Sequence, residues 1–258
     1  MSDLPTARAA PGVLTVSIIS HEQGALVRDL LGDIDARVTT PVSVLVTVNV
    51  PEAVPFTAAD FRFPVRFIRN DSPKGFGANH NAAFRSGRGL HFCVLNPDVR
   101  LTVDPFPPLL DALADPSLGV AGPVVCSEAG QIEASSRRYP TPLYILSKAL
   151  LGAPAAPDYA IADAPISPDW IGGMFMLFRA ETYREIGGFD ERYFLYYEDV
   201  DICARLRHRG YDVRLIPAAS VVHAARRDSH RRPRYLGWHV RSMLRFWRSE
   251  AYRQARRE

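Results

Sequence analysis

"HFCVLNPDVRL", residues 91–101, is an apolar run that ends on Asn-Pro-Asp. Residues 91–96 read as a strand buried on both faces, because their apolar side chains are nearly continuous rather than alternating. Working outward, "VLTVSIIS" (13–20), "VSVLVTVNV" (42–50) and "VRFIRN" (65–70) are further short β-branched runs. Between them, "GALVRDLLGDI" (24–34) and "GANHNAAFRSG" (77–87) carry helical patterns. Strands alternating with helices predict an α/β fold with a mostly parallel sheet flanked by helices. Ligands of such sheets bind beyond the carboxyl ends of the strands. That rule singles out His21, Asn49, Asn70, Asn96 and Asp98.

The second half is less regular. "LGVAGPVV" (118–125) reads as a strand, and the Ala/Pro-rich residues 153–168 read as a loop. "DWIGGMFMLFRA" (169–180) reads as one strand with a glycine pair, and "AETYREIGG" (180–188) as a short helix ending on glycine. "YDVRLIP" and "SVVHAA" read as two further short strands. Leu236, Val240, Met243, Leu244 and Trp247 fall on one stripe of a C-terminal amphipathic helix, with arginines on its other faces. The expected organisation is a flexible N-terminus over 1–12, one domain over 13–224 and a basic helical segment over 225–258.

A chain of 258 residues can bury a real core, and 47% hydrophobic with 23% charged residues excludes wholesale disorder. The net charge of +3 conceals a basic tail: Arg226, Arg227, Arg231, Arg232, Arg234, Arg241, Arg245 and Arg248. Such a tail suits an anionic partner, a membrane surface among them. Cys93, Cys126 and Cys203 fit neither a zinc spacing nor a disulfide framework, so a reducing compartment is expected. Cys93 and Cys203 are expected to be packing residues. "MSDLPTARAAPG" lacks the apolar core of a signal peptide, and no apolar run reaches the roughly 20 residues of a membrane span. The expected location is cytoplasmic. No nucleic-acid recognition module is visible, so nucleic acid is not an expected partner.

Three stretches could carry chemistry. Asp98, just past a buried strand, could hold a hard divalent cation, although Asn-Pro-Asp also forms turns unaided. "NDSPKGFGANHNAAF" (70–84) joins strand to helix through glycines that could let backbone approach a ligand. It lacks both the Gly-Lys-Ser/Thr ending of a P-loop and the dinucleotide G-x-G-x-x-G. Asn79 and Asn81 disfavour helix, so they are expected to hydrogen-bond or to cap. "FLYYEDVDICARLRHRG" (194–210) sets Glu198, Asp199 and Asp201 behind aromatics at a helix start. The macrodipole favours acids there, but it does not account for the aromatics or the "GGFDE" lead-in. Asp201 is expected to pair with Arg205 one turn along.

Taken together, these motifs resemble the family 2 inverting glycosyltransferases of the GT-A fold, in particular bacterial rhamnosyltransferase-like members. The resemblance rests on Gly75–Asn79 with Asn81, Leu95–Asp98, Gly187–Gly210 and His223, in that order, and it spans nearly the whole chain. It implies a single Rossmann-like sheet and a base that deprotonates an acceptor hydroxyl. Carried over to this sequence, the base is Asp199, with Glu198 tuning or orienting it. The implied metal ligands are Asp98 and His223, binding Mg²⁺ or Mn²⁺ against the donor diphosphate. The implied donor-binding set is Ser20, His21, Glu22, Asn49, Asn70, Lys74, Gly75, Phe76, Asn79, Asn96 and Gly173. Trp170, Gly172 and Tyr197 would meet the acceptor. The sequence departs from the family at "SHEQ" (20–23), at Val48, where an acid usually grips the nucleoside, and at Lys74, where asparagine is common.

The expected activity is transfer of a sugar, L-rhamnose from dTDP-rhamnose by subfamily resemblance, to a glycan or lipid-linked acceptor in surface polysaccharide synthesis. The basic C-terminal helix would give peripheral contact with the inner face of the plasma membrane. The rivals are a UDP-sugar-dependent enzyme of the same fold and a non-catalytic GT-A scaffold or binding subunit. A nucleotidyltransferase would want a glycine-rich basic loop after the first strand, and "SHEQGALVRD" does not supply one.

Overall fold

The computed structural model describes residues 14–151, 158–224 and 233–255. The expected flexible N-terminus, and residues 225–232 of the basic segment, lie outside the described residues. Four strands, β1 (Leu14–Ser20), β2 (Val42–Val48), β3 (Val65–Arg69) and β4 (His91–Leu95), pair in parallel in the order β3-β2-β1-β4. Helices α1 (Gly24–Arg37) and α2 (Phe76–Ser86) make two of the crossovers. The sheet continues through β9 (Phe175–Arg179), β6 (Leu118–Ser127) and β10 (Asp212–His223) to the two-residue β5 (Val99–Arg100).

Strand β9 is antiparallel to both β4 and β6, and β5 is antiparallel to β10. The sheet is therefore mixed. The two reversals at β9 cancel, so β6 and β10 run in the same sense as β1–β4. The carboxyl ends of these strands and the amino end of β9 thus share one rim. A separate two-stranded ribbon, β7 (Ser136–Arg137) with β8 (Trp170–Ile171), stands beside it.

Alternation along the strands builds two core layers. Cys93, Leu95, Phe175 and Leu177 face α1 and α3 (Phe106–Ala112) with Val27, Leu30, Leu31, Phe106 and Leu109. Phe92, Val94, Met176 and Phe178 face α2, α5 (Ala180–Glu185) and α6 (Glu198–His208) with Ala83, Tyr183, Ile202 and Cys203. Cys93 and Cys203 are buried free thiols, as their contexts predict. A third cluster packs α6 against α7 (Pro233–Arg248) and α8 (Glu250–Ala255) through Tyr197, Val200, Ala204, Phe246 and Tyr252.

The single strand expected over 169–180 is broken. Gly172 and Gly173 turn the chain out of the ribbon, and Gly172 N–H bonds the Ser135 carbonyl at 2.7 Å. Conversely, the two strands expected over 211–225 are one. Strand β10 passes Pro217 through a register irregularity between Ile216 and Ser220, where a missing N–H breaks the ladder without ending the strand. Helix α4 (Pro142–Leu151) and α3 were not anticipated.

Under α2, Ser17 Oγ hydrogen-bonds His80 Nδ1 at 2.8 Å, and His80 lies 1% exposed between Phe76 and Phe189. Burial pushes this imidazole down to about 3, against about 6.5 in an unfolded chain. The fold keeps His80 neutral while the unfolded chain takes up a proton. Its contribution is therefore full above the unfolded pKa and is lost as pH falls from there toward the folded one. Denaturant unfolding of wild type and His80→Gln between about pH 7 and 4 is expected to show it. Wild-type stability should fall the more steeply, by up to about 1.4 kcal/mol per pH unit relative to the variant.

Candidate active site

The rim gathers the anticipated residues into three groups. The first is an amide network. Asn49 accepts from Lys74 N–H (2.9 Å) and Asn70 Nδ2 (2.9 Å), and its own Nδ2 donates to the Lys74 carbonyl (3.0 Å). The same Nδ2 lies 3.2 Å from His21 Nδ1. Asn70 also donates to Asn79 Oδ1 at 2.7 Å, and Asn79 Nδ2 reaches the Lys74 carbonyl at 3.2 Å. Asn49 and Asn79 are buried, and their amides are occupied in fixing the loop. They present Lys74, which is exposed, rather than presenting themselves. Ser20 is buried, while His21 and Glu22 are exposed at the end of β1.

Gly75 and Gly77 serve close packing. A side chain at Gly75 would meet Phe194 backbone at 2.8 Å, and one at Gly77 would meet Phe189 Cβ at 2.6 Å. Phe76 N–H donates to the Phe194 carbonyl at 2.9 Å. The expectation that these glycines admit a ligand is thus corrected: they admit the neighbouring chain. Neither Asn79 nor Asn81 caps α2, whose N-cap is Gly75.

The second group lies where β5 pairs with the end of β10. The pairing of His223 with Val99 brings the imidazole beside Asp98. His223 Nε2 is 3.3 Å from Asp98 Oδ2, and His223 Nδ1 is 2.8 Å from Glu133 Oε2. Asp98 Oδ1 is buried without a partner among the described residues. The hydrogen bond with Asp98, and then that with Glu133, lift His223 to about 9 against the opposing effect of burial. The Asn96–Asp98 turn is fastened on both sides. Asn96 N–H bonds the Met174 carbonyl at 2.9 Å, and Arg100 grips buried Asp33 of α1 through Nε (2.6 Å) and Nη2 (3.0 Å).

The third group is the start of α6. Asp199 is partly exposed; its Oδ2 accepts from Gly173 N–H and its Oδ1 from Val200 N–H, both at 2.9 Å. Burial raises the Asp199 carboxyl, while the backbone donors and the charge of Arg137 pull it back. Glu198 is 5% exposed, with Oε2 unpartnered among the described residues. Burial, and then the charge of Asp199, push it well above the usual carboxylate range. The influence expected of Glu198 on Asp199 runs chiefly the other way. Asp201 does pair with Arg205, at 2.7 Å. Tyr197 is buried, its ring against His239 and Phe246, so it faces α7 rather than an acceptor. Trp170 is partly exposed and donates from Nε1 to the Arg138 carbonyl at 2.9 Å. Gly172 is buried, and Gly173, partly exposed, turns its N–H to Asp199.

Glu133 and Arg137 escaped the sequence reading. Both come from "QIEASSRRYP" (131–140), a stretch with no periodicity to place it. Its doubled arginine after two serines was the available signal.

A mixed sheet of this order, carrying its polar groups on one rim, is the GT-A architecture of glycosyltransferases. The solved structure of GalNAc-T7 with UDP, GalNAc and Mn²⁺ matches it with a TM-score of 0.65 at 15% identity, over 84% of this chain. The match spans 44% of the GalNAc-T7 chain, less than half its length. The mannosyltransferase PcManGT from Pyrobaculum calidifontis, in complex with GDP-Man and Mn²⁺, matches with 0.62 at 17% identity, over 97% of this chain and 76% of that one. The family described as "Glycosyl transferase family group 2" matches residues 91–257. The N-acetylglucosaminyl-diphospho-decaprenol L-rhamnosyltransferase of Mycobacterium tuberculosis is 29% identical, over 86% of this chain and 79% of its own length. Rhamnosyltransferase WbbL of Escherichia coli K12 is 28% identical, over 67% and 69%. The chain belongs to glycosyl transferase family group 2. It is a rhamnosyltransferase-like, nucleotide-sugar-dependent glycosyltransferase.

Glu22 has a φ of 60°, and its backbone N–H, not its side chain, meets Glu52 Oε1 at 3.1 Å. Left-handed backbone costs a non-glycine residue about 1–2 kcal/mol. Glu22→Gly is expected to raise stability by about 1 kcal/mol, net of the entropy glycine adds to the unfolded chain. Thermal unfolding checks this, and an unchanged or lowered midpoint would count against strain at this turn.

Proposed function

We propose that the protein transfers L-rhamnose from dTDP-rhamnose, with inversion at the anomeric carbon, to a glycan or lipid-linked acceptor in surface polysaccharide synthesis. The names of both rhamnosyltransferase relatives support the sugar, and that of the Mycobacterium tuberculosis enzyme supports a lipid-linked acceptor. The observation that carries the transfer reading is Asp199, a carboxylate whose plane is held by two backbone N–H groups at the mouth of the sheet. In this reading Asp199 takes the proton of the acceptor hydroxyl as the oxygen attacks the anomeric carbon and the nucleoside diphosphate departs. Burial makes it a stronger base than a free aspartate. Burial and the charge of Asp199 hold the Glu198 carboxyl well above the usual carboxylate range, which favours Asp199 as the seat of the pair's negative charge. Arg137 is anchored through Nε on the Ala134 carbonyl at 2.8 Å, and it steadies that charge.

Asp98 and His223 fit a divalent cation. The buried Oδ1 of Asp98, without a partner among the described residues, is an available donor atom, and carboxylate with imidazole suits Mn²⁺ or Mg²⁺. When bound, the cation would supply charge neutralisation for the departing diphosphate. The amide network of Asn49, Asn70 and Asn79 would set Lys74 against the donor, with His21, Glu22, Phe76 and Asn96 around it.

Asp199→Asn is expected to lower transfer about 10²- to 10⁴-fold while leaving calorimetric binding of dTDP-rhamnose intact. Undiminished transfer would remove Asp199 as base. Binding of dTDP-rhamnose, UDP-glucose and UDP-galactose, each with Mn²⁺ and with chelator, names the donor. Failure of all of them to bind or react would favour the scaffold reading.

The acceptor reading extends to α7, at a cytoplasmic membrane face. This helix carries Arg234, Arg241, Arg245 and Arg248 and no acid, and Leu236, Val240 and Leu244 are exposed on it. Among the described residues no helix is long and apolar enough to cross a membrane. An apolar stripe beside guanidinium groups favours the surface of an anionic bilayer. The protein is expected to sediment with phosphatidylglycerol vesicles at low salt and less with phosphatidylcholine. Leu236→Glu with Leu244→Glu should abolish this, and equal sedimentation of the double variant would refute it.

A further inference from the structure

Glu133 stands against the proposed cation site with no role assigned to it. Its Oε2 lies 2.8 Å from His223 Nδ1, on the opposite side of the ring from the Nε2 that faces Asp98. One cation cannot reach both carboxylates through the ring. Consistently, no cluster of three or more His, Cys, Asp or Glu groups suited to a metal occurs among the described residues. Both backbones are fixed: Glu133 N–H bonds the Val125 carbonyl at 2.8 Å, and His223 pairs with Ser127 on one side and Val99 on the other. The carboxylate and the ring therefore meet by construction, not by chance excursion of two mobile side chains.

An imidazole can give a metal only one nitrogen lone pair, so the other nitrogen must carry the proton. A carboxylate that accepts that proton's hydrogen bond fixes the tautomer, fixes the ring plane and raises the donor strength of the free nitrogen. We propose that Glu133 is a positioning residue for the cation site: it accepts the Nδ1–H of His223, so that a cation taking the place of the Nε2 proton shared with Asp98 meets the Nε2 lone pair. The proposal rests on the reading of Asp98 and His223 as metal ligands. It adds that the site includes a group from the hairpin after β6, remote in sequence from both ligands.

The test is Mn²⁺ binding, followed by electron paramagnetic resonance with and without dTDP, on wild type and four variants. His223→Ala marks the loss of the nitrogen ligand, including loss of its echo modulation. Glu133→Ala is expected to weaken Mn²⁺ about 10- to 100-fold. Glu133→Gln keeps an acceptor for Nδ1–H and is expected to retain most of the affinity. Glu133→Asp keeps the charge but withdraws the carboxylate by about one C–C bond, roughly 1.5 Å, and should bind weakly. It also covers the case in which the alanine variant does not fold. Wild-type affinity in Glu133→Ala or Glu133→Asp overturns the positioning role, as does a Gln variant as weak as the Ala one. A wild type that binds no Mn²⁺ in either condition overturns the metal reading and this proposal with it.

Discussion

The side-chain amide of Asn81 makes every hydrogen bond its geometry allows. Its Nδ2 donates to the Phe189 carbonyl at 2.9 Å and to Glu191 Oε1 at 3.0 Å. Its Oδ1 accepts from Tyr183 O–H at 2.7 Å and from Phe189 N–H at 3.0 Å. The amide is buried, so a lost partner would leave a polar group unsolvated at about 1–3 kcal/mol. Helix α2 and residues 187–194 consequently behave as one body. Gly188, with φ +66°, follows from it, because a Cβ there would come within 2.3 Å of Asn81 Oδ1. The chain then runs from this anchored turn through Phe194 to the start of α6, and the placement of Asp199 is inherited from Asn81.

Backbone strain collects on the same rim. Glu22, Tyr196 and Tyr197 are the non-glycine residues with positive φ among those described. Two such residues in succession cost enough that surrounding contacts must hold them. Those contacts come from α7. Its His239 meets both tyrosine rings, its Phe246 meets Tyr197, and its Ser242 Oγ bonds the Leu195 carbonyl at 2.9 Å. The tail helix is thus a brace for the strained approach to α6.

The first half of the fold was legible because β1, β2 and β4 are nearly continuous apolar runs and α1 and α2 carry a helical period between strands. Strand β9 was legible as a strand but not in direction: an antiparallel insertion buries both faces as a parallel one does, and the side-chain pattern is the same. The split at Gly172 and the fusion across Pro217 were misread because both are decided by partners on other strands. At the site, Asp98, His223 and Asp199 were visible through motif order. Asn49, Asn79 and Tyr197, expected to meet donor or acceptor, have side chains that hold the frame and face inward. An amide reads alike in sequence whether it grips a ligand or a loop. Glu133 and Arg137 were missed because a stretch without sequence periodicity carries them and only tertiary pairing brings them to the rim.

The pairing of β10 with β6 and β5 has a consequence for the order in which the molecule becomes itself. Strand β10 follows every other strand in the chain, and its last residue supplies the imidazole beside Asp98. A nascent chain that stops short of β10 already contains Asn49, Asn70 and Asn79 and the acids at the start of α6. Until the final strand docks, Asp98 lacks its histidine and Glu133 has nothing to hold. The residues of the amide network and the Asp98–His223 pair are therefore completed at different moments of synthesis, and an incomplete chain carries the first without the second.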